Sequence, residues 1–229
     1  MVETAARTQV VLHALGCMVE HRLTCADVWG HVAPMFHLVD AYSIFAITWV
    51  GGSHVMVPAF VTVRDACCDL SGWGVAFSFS TTAVLSAIET KRITVTNMAS
   101  SQLQLLLADP SLSHRDLSSL TLLSCGGAPL PRATALRAMS TFRCEFFLSY
   151  GMTECSGKIA TSLLGPEERR LPPVEQLELV LSSGRPFLFT QVRVVNEAGQ
   201  DVHTDGLETG EVWIRGDTCF DGYWNDNEV

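Results

Sequence analysis

The chain reads as an α/β protein: a mainly parallel sheet flanked by helices, followed by an antiparallel β segment of partial-barrel type. Three observations predict it. Helical and strand-like apolar patterns alternate from the start of the chain to about residue 160, the arrangement of a parallel sheet covered by helices. Beyond about residue 183 the pattern changes. Gln191-Val192-Arg193-Val194-Val195 and Glu211-Val212-Trp213-Ile214-Arg215 alternate polar with apolar, with a turn at Glu197-Ala198-Gly199-Gln200, as antiparallel strands with one wet face do. Finally, 48% hydrophobic and 17% charged residues in a chain of 229 supply a substantial core and argue against disorder.

The elements follow in order. Residues 10–23 carry apolar positions at helical spacing, with His13, Glu20 and Arg22 assigned to the wet face. Residues 28–34 form a short strand ending at Pro34, residues 40–50 a buried helix, and residues 53–57 a strand stopped by Pro58. An amphipathic helix over 82–91 precedes a β-branched strand over 93–97, and residues 101–108 return to helix. Strands over 120–124 and 145–149 flank a helix over 131–140. The division predicted is 1–183 for the α/β unit and 184–229 for the start of the β unit. Residues 61–79 read as an insertion, either a surface loop or translated non-coding sequence, because their composition fits neither flanking element.

Composition narrows the function. A formal net charge of −9 argues against a general nucleic-acid binder, which presents a basic face. It leaves nucleotide binding open, since metal ions and backbone N–H groups neutralise phosphate locally. The eight cysteines are scattered with no C-x-x-C pair, and reduced, mostly buried thiols are expected. The N-terminus lacks a basic region followed by an apolar run, and the most apolar stretch, 41–50, is about half the length a membrane helix requires. A soluble, cytoplasmic protein with no membrane span is expected.

The chemistry concentrates in two segments just past strand ends, where open α/β sheets place ligands. Ser149-Tyr150-Gly151-Met152-Thr153-Glu154 puts an aromatic ring, a glycine, a hydroxyl and a carboxylate within six residues. These groups suit an aromatic base, a close phosphate and a magnesium ion. One strand and one helix earlier stands Ser124-Cys125-Gly126-Gly127-Ala128-Pro129. Residues 151–158 imitate a Walker phosphate loop poorly: five residues separate the glycines where four are required, and Ile159 occupies the Ser/Thr position. No G-x-S-x-G elbow supports a serine hydrolase, and His31 with His37 lacks the context of a zinc site.

Together the two segments resemble the adenylate-forming superfamily, which includes acyl-CoA synthetases, coumarate-CoA ligases, luciferases and peptide-synthetase adenylation domains. Pro34-Met35-Phe36-His37, Gly51-Gly52, Gly184-Arg185-Pro186, the segment 210–216, and Gly222-Tyr223-Trp224-Asn225 match the family in the same order. The spelling from 34 to 158 is nearest to plant- or algal-type acyl-activating enzymes. The resemblance implies an AMP-forming acid–thiol ligase: a carboxylate attacks ATP to give an acyl-adenylate, and coenzyme A then takes the acyl group. It assigns magnesium to Glu154, phosphate to Thr153, and the nucleotide to Gly126, Gly127, Ala128, Pro129, Ser149, Tyr150, Gly151 and Met152. Gly126, Gly127 and Ala128 would let the base approach the backbone.

It also places His37 beside the carboxylic acid substrate. Asp40, where many relatives carry glycine, marks a departure near that pocket. The family's Ser/Thr/Gly-rich phosphate loop, ribose-binding aspartate and lysine-bearing small domain have no counterpart between residues 1 and 229. The chain is therefore expected to be a fragment of the large N-terminal domain, inactive alone, with a sheet edge that needs a protein partner. A non-catalytic binding remnant and a truncated gene model are the alternatives.

Overall fold

In a computed structural model, residues 7–63 and 76–223 are described. The first α/β pairs are α1 (Arg7–Glu20), β1 (Val28–His31), α2 (Leu38–Trp49) and β2 (Ser53–Met56). A short antiparallel pair, β3 (Phe60–Val63) and β4 (Ala76–Phe79), leads to α3 (Thr81–Lys91), β5 (Val95–Ala99) and α4 (Ser100–Ala108). Next come β6 (Leu122–Gly126), α5 (Arg132–Phe142), β7 (Glu145–Met152) and β8 (Gly157–Thr161). The chain continues through α6 (Pro173–Leu181) and β9 (Arg185–Pro186) to the antiparallel pair β10 (Thr190–Val195) and β11 (Glu211–Gly216).

Seven strands form one sheet in the order β2-β1-β5-β6-β7-β8-β9. The first four pairings are parallel, and β8 and β9 add antiparallel. The predicted fold class is therefore observed. Strands β5 and β6 are almost wholly buried, so they read as continuous apolar runs, as central parallel strands must.

Alternation along the strands sends side chains to two cores. On one face Leu123, Cys125 and Phe146 pack with Val84, Leu85, Ile88, Leu103, Leu106, Ala135 and Phe142 from α3, α4 and α5. On the other, Trp29, Val95, Leu122 and Phe147 meet Ala14, Cys17, Tyr42, Ala46 and Ile47 from α1 and α2. The helices start and stop for local reasons. Ser80 Oγ caps α3 by accepting from Ala83 N–H at 3.3 Å, and Gln102 Oε1 caps α4 by accepting from Ala99 N–H at 2.8 Å. Left-handed Arg92 and Arg143 end α3 and α5.

Three features depart from the sequence reading. His13 is fully buried, between Tyr42 and Phe187; β9 and the residues after it return over α1 and close what helical spacing alone leaves wet. Second, β8 and α6 carried no sequence assignment, being short and without a clean period, and β9, read with the late β segment, pairs with β8 at the edge of the main sheet. Third, β3 and β4 form the two ends of the segment 61–79 read as an insertion, whose residues 64–75 lie outside the described residues. At its base Ser80 N–H donates to the Ala59 carbonyl at 2.7 Å, so the chain leaves and rejoins the domain at adjacent points.

Candidate functional site

Both motifs emerge at the carboxyl ends of parallel neighbours. β6 ends at Gly126 and β7 runs through the second motif to Met152, and in the register Gly126 stands opposite Ser149. This pairing demands glycine. A Cβ at 126 would lie 2.4 Å from Ser149 Oγ and 2.8 Å from the Ser149 carbonyl oxygen. At Gly151, where β7 bulges, a Cβ would lie 1.8 Å from the Gly157 carbonyl oxygen of β8. These two glycines thus have a backbone reason to be glycine apart from any ligand. Gly127, at φ +80°, takes the left-handed conformation that opens the turn.

Two adjoining clefts share Gly127, Ser149, Tyr150 and Gly151 as their common wall. One, of about 270 Å³, is lined by His37, Gly126, Met152, Thr153 and Glu154 as well. The other, of about 410 Å³, adds Ala128 and Pro129. Every residue singled out from the sequence therefore borders one of the two. A larger hollow of about 940 Å³ lies where α4 and α5 end and contains none of them. Size does not locate the chemistry here.

The smaller cleft has a floor that sequence reasoning missed. Asn97, Ser124 and Phe147 stand in one register row across β5, β6 and β7, and Asn97 and Ser124 line the cleft with Tyr42 and Lys158. Asn97 ends a β-branched run, and that polar interruption was the available signal. Lys158 had none, since β8 lacks a strand period. Its Nζ donates to Tyr42 Oη at 2.7 Å, lies 3.0 Å from His21 Nε2 and sits 4.4 Å from the Tyr42 ring centre. Burial holds the Lys158 ammonium below its ordinary range, against the pull of Cys17 and Glu20. Burial first, and Lys158 second, lower His13 to about 3.

Asp40 does not reshape the cleft. Its carboxylate turns into the interior and accepts from Trp29 Nε1 at 3.1 Å and Ser43 Oγ at 2.9 Å, with His31 Nδ1 at 2.8 Å. Glu154, by contrast, presents its carboxylate at the cleft, where Oε1 accepts from Tyr223 Oη at 2.8 Å. No basic side chain pairs with it among the described residues. A lone, unneutralised carboxylate beside a hydroxyl fits magnesium, which takes one or two carboxylates and completes its shell with water and phosphate.

Comparison with known proteins gives the family and the fold. The family model described as AMP-binding enzyme matches residues 2–224. A feruloyl-CoA synthase from an Amycolatopsis species is 34% identical over 66% of this chain and 28% of its own length. A long-chain-fatty-acid–CoA ligase from Thermus thermophilus is 29% identical over 96% of this chain and 38% of its own. Among solved structures, O-succinylbenzoate coenzyme A synthetase from Bacillus subtilis, in complex with ATP and magnesium, superposes with a TM-score of 0.74. It is 21% identical, over 98% of this chain and 40% of that one. Amide bond synthetase from Marinactinospora thermotolerans gives 0.75 at 23% identity, over 98% of this chain and 40% of that one.

Fold and clefts define an α/β protein with two adjoining clefts at the carboxyl ends of adjacent parallel strands. The chain belongs to the AMP-binding enzyme family. Its curated relatives include acyl-CoA ligases, and it spans 28% and 38% of the length of the two described.

Proposed function

We propose that the chain binds ATP, magnesium and a carboxylic acid in an AMP-forming acid–thiol ligase of the acyl-CoA synthetase type. The observation that carries this reading is the Gly126–Ser149 register, which brings both motifs to one pair of clefts. Tyr150 would lie against the adenine, with Gly126, Gly127, Ala128 and Pro129 behind it and Ser149, Gly151 and Met152 shaping the rim. Thr153 would donate its hydroxyl to a phosphate oxygen, and Glu154 would hold magnesium directly or through water. His37, which lines the smaller cleft, would border the acid.

ATP, when bound, supplies the electrophilic phosphorus, and coenzyme A the accepting thiol. The residues of this chain orient the two partners and keep charge in place, the main contributions available at so highly charged a centre. The six free cysteines among the described residues fit the reducing cytoplasmic location assigned with this reading.

Calorimetric titration of the full chain with ATP, with and without magnesium, tests the assignment. Millimolar or tighter binding that requires magnesium and weakens at least tenfold in Glu154→Ala is expected. Binding indifferent to both would sink it. Retained ATP binding without acid-dependent pyrophosphate release would mark a binding remnant instead of a ligase.

A further inference from the structure

Two thiols meet beside Glu154 that nothing in the proposed chemistry uses. Cys155 is buried, Cys219 is partly exposed in the turn that follows β11, and their sulfurs lie 3.9 Å apart. The backbones beneath them also touch. Phe220 N–H donates to the Glu154 carbonyl at 2.7 Å, so each cysteine is the chain neighbour of a residue in that bond. Gln9 Nε2 holds the other side of the turn by donating to the Cys219 carbonyl. A disulfide requires closely spaced backbones, and this contact supplies them. Other buried thiols meet different groups: Cys17 Sγ lies 3.9 Å from Lys158 Nζ, and Cys125 Sγ 3.7 Å from Ser100 Oγ.

The segment that carries Cys219 also brings Tyr223 to the site, where its hydroxyl donates to Glu154 Oε1 at 2.8 Å. Whatever fixes Cys219 to Cys155 therefore keeps that donor on the carboxylate.

We propose that Cys155 and Cys219 form a reversible disulfide when oxidised by a peroxide, and that the bridge locks the segment after β11, with Tyr223, onto the turn carrying Glu154. Cys219, the accessible sulfur, attacks as its thiolate. The peroxide O–O bond breaks, an S–O bond forms, and the departing hydroxide takes up the proton that the thiol shed. Cys155 then loses its proton and its sulfur attacks the Cys219 sulfur. The S–S bond forms, the S–O bond breaks, and the second hydroxide leaves as water with that proton. Two thiols and one peroxide become one disulfide and two waters, with both electrons supplied by the sulfurs. Burial, and then the nearby Cys219, push the Cys155 thiol up to about 12, which suits it to the second step. In a reducing compartment such a bridge is transient and reports oxidation. A locked Tyr223 also competes with a metal ion for the carboxylate, a consequence that rests on the reading that Glu154 holds magnesium.

The full chain, reduced and then treated with hydrogen peroxide, is digested and mapped by mass spectrometry. The expected product lacks two hydrogen atoms and joins the peptides containing Cys155 and Cys219, which dithiothreitol separates. Cys155→Ala should leave a sulfenic acid on Cys219 that dimedone traps, and Cys219→Ser should leave Cys155 a thiol. A bridge to any other cysteine, or oxidation confined to the exposed Cys25, overturns the proposal.

The lock is read by hydrogen exchange at the Phe220 amide, expected to slow by at least about tenfold in the oxidised chain. An unchanged rate overturns it. Magnesium-dependent ATP binding is measured on both forms. It should weaken about tenfold on oxidation, the scale of a hydrogen bond to a charged group. Dithiothreitol should restore it, and Tyr223→Phe should make it insensitive to oxidation. Equal binding by both native forms overturns the hold on Glu154. A reduced chain that binds no ATP sinks the nucleotide reading, while the mapped bridge and the exchange rate still decide this proposal.

Discussion

Glycine at position 151 is held there by the carbonyl of Gly157, which a methyl group would strike at 1.8 Å. Overpacking against a paired backbone has no flexible side chain to yield, so Gly151→Ala should destabilise the chain by about 2–3 kcal/mol. Urea unfolding is the measurement. A loss well below 1 kcal/mol would show that β7 and β8 separate easily. Individual residues were partly legible beforehand. The motif residues were visible as a string because they are contiguous and chemically distinctive. Tyr42, Asn97 and Lys158 were not: they stand on three elements at successive separations of 55 and 61 residues in the chain, and only packing makes them neighbours.

At the scale of elements, α1 and the turn that follows it bring His13, Cys17 and His21 toward Lys158 instead of toward water. His13 is lowered to about 3 and His21 well below its ordinary value, in both cases first by burial. Below about pH 6.5 the unfolded chain takes up protons that the folded chain refuses. The stabilising difference is therefore complete above that pH and is lost as the pH falls toward 3. His13, held to about 3, should contribute about 2 kcal/mol of lost stability by pH 5, and His21 adds to it in the same direction. Denaturant midpoints at pH 7 and pH 5 check this, and His13→Phe should flatten the slope. A slope unchanged in that variant would place the acid sensitivity elsewhere. Helical spacing found α1 but assigned His13 to solvent, because the residues that cover it, Tyr42 and Phe187, lie 29 and 174 positions later.

At the scale of the whole molecule, the β2 end of the sheet is apolar and unpaired among the described residues. Phe45 and Trp49 on α2 are 51% and 52% exposed, and Met56, on the edge strand β2, is 56% exposed. An unpaired edge beside bulky apolar side chains favours association. The full chain is expected to self-associate at micromolar concentration in light scattering, and Phe45→Ser with Trp49→Ser to reduce it. A monodisperse, cooperatively melting native chain would refute this expectation. Among the described residues no helix is long and apolar enough to cross a membrane.

The alternation of helix and strand, the two motifs and the late antiparallel pair were all written in local patterns, since period and turn chemistry act over a few residues. Tertiary structure decided the rest. It set β8 and β9 antiparallel on a parallel sheet, closed α1 over its histidines, and turned Asp40 inward. It also raised a tyrosine, an asparagine and a lysine from separate elements into one cleft. Those outcomes depend on which distant surfaces exclude water from each other, and no window of adjacent residues carries that information.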